Sequence, residues 1–85
     1  MEEVQFEYRD FGLASYLITK GNEFKGIDIR FAKRFNEFKV YVKVQGEKKT
    51  LVMLQEVYEN NKVKILKDEN ITNKINELVK EVRIN

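Results

Sequence analysis

A chain of 85 residues has room for one domain and buries only roughly 60–65% of the surface its unfolded form exposes, so its stability margin is thin. It contains no cysteine and no histidine. Disulfides and structural zinc, the usual staples of small domains, are excluded, and so are the thiol nucleophile, the commonest general base and the usual transition-metal ligands.

These absences make self-association a fair expectation and an enzyme an unlooked-for one. With 42% apolar and 35% charged residues at a net charge of +2, the composition is that of a folding globule. No run approaches the roughly 20 apolar residues of a membrane span. Met1-Glu2-Glu3 is acidic where a signal peptide would be basic, so the expected location is the cytoplasm and no membrane partner is expected. Heavy use of Lys, Asn, Ile and Glu is typical of AT-rich genomes.

Val4 to Tyr8 alternates apolar and polar residues and predicts a short half-buried strand. Asp10 then serves as N-cap of a helix over about Phe11–Lys20, with Leu13, Ala14, Leu17 and Ile18 on one stripe and Gly21 as its left-handed terminator. Two alternating segments follow. Ile27, Ile29 and Phe31 oppose Asp28 and Arg30 in the first, and Phe38, Val40, Val42 and Val44 oppose Lys39, Tyr41, Lys43 and Gln45 in the second. This pattern predicts an antiparallel hairpin over about 24–45, with one face on helices and one in water, turning at Lys33-Arg34-Phe35-Asn36.

Glu47 to Asn61 reads as a helix rather than a strand. Leu51, Leu54, Val57 and Tyr58 form its stripe, and good helix formers fill the rest. Val63 to Leu66 reads as a brief extended piece at a sheet edge. A last helix, capped by Asp68 or Asn70, carries Ile71, Ile75, Leu78, Val79 and Val82 at helical spacing. The expected fold is α+β in the order β-α-β-β-α-(β)-α, a small antiparallel sheet whose apolar face is covered by the first and last helices, in a single domain over residues 1–85.

Charge is unevenly spread. Residues 1–19, 20–49 and 50–85 carry −3, +5 and 0, so the basic excess falls on the hairpin. Its polar face would present Arg30, Lys39, Tyr41 and Lys43, with Lys33 and Arg34 beside Phe35 at the turn and Lys48 and Lys49 after the second strand. Basic groups interleaved with an exposed aromatic suit a phosphate backbone and an unstacked base. Lysines on sheet edges and solvated faces also serve simply to block edge-to-edge pairing, and the pI of about 8.8 falls short of the value above 9 typical of dedicated nucleic-acid domains.

Catalytic and cofactor motifs are weaker still. Asp10-Phe11-Gly12 spells the kinase magnesium tripeptide without the two-lobed domain it needs. Ser15 has no histidine to activate it, and Asp68-Glu69 or Glu2-Glu3 lack the distant partners a magnesium ion requires. Met53 and the aromatics of the apolar faces read as core. No cofactor, metal site or catalytic residue is expected.

The stretch Tyr8 to Gly21, the strand pair, and Leu54-Gln55-Glu56-Val57-Tyr58-Glu59-Asn60 together resemble a family of short uncharacterised domains found in phages and low-GC bacteria. That family opens on D-L-x-L-A-x-Y-L-x-x-x-G, ends a later helix on L-x-x-x-Y-x-N and closes on a final helix. The resemblance covers roughly residues 6–83, with Phe11 where leucine is usual. It implies a phage or mobile-element context and no activity. It also implies that Ala14 lets the first helix approach the sheet, with Tyr16 and Tyr58 packing at the margin. The expected function is a small non-enzymatic binding protein contacting nucleic acid through the hairpin. The alternative is a protein-interaction module, such as an inhibitor, an accessory subunit or a homodimer formed through a strand edge.

Overall fold

The computed structural model describes residues 2–84; Met1 and Asn85 lie outside the described residues. The chain folds as α+β in the order β1 (Glu3–Tyr8), α1 (Phe11–Thr19), β2 (Glu23–Ala32), β3 (Glu37–Glu47), α2 (Lys48–Asn60), α3 (Lys62–Ile65) and α4 (Glu69–Ile84). A single 3-10 turn, Lys33–Phe35, joins β2 to β3, and Asn36 closes it in the left-handed region at φ 50°.

The sheet is antiparallel in the order β1-β3-β2. β1 and β2 therefore run the same way on either side of β3, and α1 is the crossover that connects them. Gln5 faces Gln45 and Tyr8 faces Val42, while Ile27 faces Val42 and Phe31 faces Phe38. A bulge between Phe24 and Gly26 puts Phe24 and Ile27 on the same face although their numbers differ in parity. Gly26 takes φ +114° there, a conformation that side-chain-bearing residues rarely adopt.

α1 is the centre of the molecule. Gly12 to Leu17 are six consecutive buried residues, which a helix can achieve only if every side is covered. The helix rests on β1 and β3, and α2 and α4 pack against its other sides. The last helix thus packs mainly on α1, not on the sheet as the sequence leads one to expect. Val42, Val44, Leu17, Leu51 and Tyr58 are fully buried between these layers.

The termini of α1 follow from its flanking residues. Asp10 Oδ1 accepts the Leu13 N–H at 3.1 Å, and Asn22 Nδ2 donates to the Leu17 carbonyl at 2.8 Å, just beyond Gly21 at φ +101°. Asp10→Ala is expected to cost about 0.5–2 kcal/mol, measured by urea unfolding. α2 is capped by Glu47, whose Oε2 accepts from Thr50 N at 3.2 Å and Oγ1 at 2.6 Å. The Asp68 carboxylate accepts the Asn70 N–H at 2.8 Å at the start of α4.

Several expectations are corrected. Val63 to Leu66 is not extended: Lys62–Ile65 is a single helical turn, with Ile65 N donating to Asn61 O at 2.9 Å and Leu66 N to Lys62 O at 3.0 Å. Ser15, which lies outside the apolar stripe assigned to α1, is in the core, fully buried with an unpartnered Oγ. Tyr16 and Tyr58 are core residues packed on one another, ring centroids 6.0 Å apart. Val57 and Met53 are exposed, although the sequence assigns both to the apolar side. No helix among the described residues is long and apolar enough to cross a membrane.

Candidate nucleic-acid interface

The hairpin outruns the rest of the molecule. β1 pairs only with residues 42–47 of β3, whereas β2 follows β3 all the way to Glu37. The far half of the hairpin is consequently two-stranded, and its apolar side loses its cover. Phe31 is 53% exposed, Phe35 58% and Phe38 69%, and Ile29 is exposed as well. The sequence assigns Phe31 and Phe38 to the covered face; they lie on that side of the strands, but the helices stop short of them.

The exposed rings stand at the end of the hairpin in two groups, Phe31 with Phe38 on the apolar side and Phe35 with Arg34 and Lys39. Phe31 and Phe38 face each other across the strands with centroids 5.1 Å apart. Lys39 Nζ sits 4.7 Å from the Phe35 centroid, and the Arg34 guanidinium carbon 5.6 Å from it. Among the described residues neither Lys33, Arg34 nor Lys39 lies within ion-pair distance of a carboxylate. Glu37 is the one acid between Phe31 and Lys39.

The polar face of the sheet is different. Arg30, Lys39, Tyr41 and Lys43 do share it, as their register requires. The same register brings Glu3 and Glu7 from β1, Glu23 and Asp28 from β2, and Glu37 and Glu47 from β3 onto that face. Arg30 lies over the Tyr41 ring at 4.4 Å. It binds Asp28 at 2.7 Å and reaches the Glu7 carboxylate, and the hydrogen bond to Asp28 is the main influence raising its pKa above the ordinary arginine value. A face that sets six carboxylates against Arg30, Lys39 and Lys43, with Lys25 paired to Glu23 at 3.4 Å, is not a basic patch, so the free positive charge concentrates at the end of the hairpin. Lys48 and Lys49 are apart from both regions, in the first turn of α2 beside Val52 and Met53.

Other hollows bring together less chemistry. A groove of about 510 Å³ between the end of α1, α3 and the start of α4 includes Lys20, Lys64 and Asp68, but Asp68 is engaged in capping α4. Among the described residues no three carboxylates converge as metal ligands.

Comparison with protein-family models, curated proteins and solved structures found no match.

Proposed function

We propose that the protein is a small non-enzymatic binding protein of a phage or mobile element that contacts single-stranded nucleic acid with the end of its hairpin. The observation carrying this reading is the end of the hairpin, where Phe31 and Phe38 stand exposed on one side, exposed Phe35 lies against Arg34 and Lys39, and Lys33, Arg34 and Lys39 have no ion-pair partner among the described residues. Stacked bases need accessible aromatic faces, and the phosphates between them need bases free of intramolecular ion pairs. The rest of the sheet's polar face is rich in acid, and a duplex backbone laid across it would meet six carboxylates.

Fluorescence anisotropy with a labelled single-stranded oligonucleotide tests this. Three phosphate contacts give a logarithmic salt slope near −2, so affinity should fall about 20-fold between about 50 and 200 mM salt. Phe38→Ala is expected to remove about 1–3 kcal/mol of binding, roughly 5- to 150-fold. Lys39→Glu should weaken binding strongly, while Lys43→Glu, set beside Glu7 on the sheet's face, should leave it within about twofold. Binding that ignores salt, or no binding at 50 mM, would refute the proposal. Equal losses from Lys39→Glu and Lys43→Glu would return the contact to the sheet's face.

A further inference from the structure

We infer that α2 is a self-association helix: two copies pack their α2 helices antiparallel about a two-fold axis lying between Val52 and Met53. Lys49, Val52, Met53 and Glu56 recur at i, i+3, i+4 and i+7, so they form one line along the helix. That line points away from Leu51 and Tyr58, which are buried in the core. All four residues are exposed, and Val52 and Met53 retain 50% and 56% of their surface.

The stripe is complementary to itself. An axis midway between its two apolar residues sets Val52 against the partner's Met53 and Lys49 against the partner's Glu56, and symmetry repeats both contacts. Neither Lys49 nor Glu56 has an ion-pair partner within its own chain among the described residues. A parallel arrangement would oppose lysine to lysine and glutamate to glutamate. A polyanion gains little here, because the stripe carries one charge of each sign, and Glu2 and Glu47 line the same hollow. Antiparallel pairing also aligns the two helix dipoles favourably. The occupant that fits the pattern is a second copy of this chain, held through α2 rather than through a strand edge.

One short helix pair makes a small interface, so the dimer dissociates more readily than standard interfaces, with a Kd weaker than about 1 µM. Sedimentation velocity on the whole chain from about 10 µM to 1 mM should show a concentration-dependent dimer. Lys49→Glu alone and Glu56→Lys alone each place like charges in both symmetric contacts and should weaken it by tenfold or more. An equimolar mixture of these two variants restores both attractions, one chain supplying two acids and the other two bases, and should form a heterodimer. The double variant Lys49→Glu with Glu56→Lys should recover the homodimer. Both exchanges keep good helix formers at exposed positions, and the double variant carries the test if a single variant fails to fold. A wild-type chain that stays monomeric at 1 mM, single variants that dimerise as the wild type does, or a mixture that stays monomeric would each overturn the inference. None of these outcomes depends on nucleic-acid binding, because the stripe lies on α2 and not on the hairpin.

Discussion

Leu17→Ala is expected to destabilise the chain by about 2–5 kcal/mol, the range for truncating a leucine in a core that cannot close around the gap. A chain of this length has about 4–13 kcal/mol in total, so the variant approaches global unfolding. Leu17 is fully buried on α1, the element that touches the sheet below and α2 and α4 above. A cavity there loosens every layer at once, and neither the sheet nor the outer helices can collapse into it without losing contact with α1. Thermal unfolding followed by circular dichroism should show a midpoint lowered by at least about 8 °C, taking about 4–8 °C per kcal/mol for a domain of this size. Val52→Ala, at a half-exposed position on α2, should remain within about 0.5 kcal/mol of wild type. A loss below about 1 kcal/mol for Leu17→Ala would mean that α1 is not the central support.

The role of α1 is only partly legible in the sequence. Spacing identifies the helix, its Asp10 cap and its Gly21 terminator, because those depend on neighbours along the chain. It also singles out a stripe of Leu13, Ala14, Leu17 and Ile18, whereas burial extends right round the helix to Gly12, Ser15 and Tyr16. A helix with Phe11, Tyr16 and hardly any charge on its other sides carries the signature of complete burial. Ser15 conceals it, being polar yet sealed in the core.

The hairpin shows the opposite division. Alternation correctly assigns Ile27, Ile29 and Phe31 to one face, but it says nothing of how far the helix layer reaches along that face. The uncovered rings at the far end depend on β1 stopping after six residues and on α1 crossing only the near half. Alternation likewise groups Arg30, Lys39 and Lys43 and sets Asp28, Glu37 and Glu47 with them, yet Glu3 and Glu7 arrive from β1 and Glu23 through the bulge at Gly26, both set by tertiary register. Val63 to Leu66 fails for a related reason. Its pattern fits a strand, but the segment follows directly on α2 and pairs with neither edge of the sheet, whose order is β1-β3-β2. With Asn61 breaking α2, one further helical turn gives the Ile65 and Leu66 N–H groups carbonyl partners and turns Ile65 toward the core while Val63 stays in water.

Stability should fall as pH rises from about 10 to 12, and Tyr58 should account for much of the decline. Burial, followed by the charges of Asp10 and Glu59, pushes its phenol from 10.0 up to about 12. Asp10 acts there through its field, since Tyr58 Oη has no hydrogen bond of acceptable geometry. Between those values the unfolded chain has released the phenolic proton while the folded chain retains it. Folding then requires proton uptake, so the stabilisation is complete below pH 10 and is lost as pH climbs through 12. Tyr8, raised by burial against the opposing hydrogen bond from Gln55, adds a contribution of the same sign. Urea unfolding between pH 8 and 11.5 should show the decline in wild type and a shallower one in Tyr58→Phe, with the Tyr8 share remaining.

The same hydroxyl explains why residue 12 is glycine. A methyl group on Gly12 would lie 2.5 Å from Tyr58 Oη and 2.9 Å from Leu66 Cδ2. Overpacking of that kind costs about 1–3 kcal/mol, against a gain of about 0.5–1 kcal/mol for replacing a helical glycine by alanine. The collision wins, because Tyr58 is fully buried against Tyr16 and cannot retreat, whereas Leu66 ends in a flexible, partly exposed side chain. Gly12→Ala should therefore destabilise the wild type and be much better tolerated beside Tyr58→Phe, which removes the oxygen being struck. The double-mutant cycle is expected to give an interaction of about 0.5–3 kcal/mol in favour of the pair. Equal losses in the two backgrounds would shift the obstruction from the Tyr58 hydroxyl to Leu66, and Leu66→Ala would then be the substitution that relieves it.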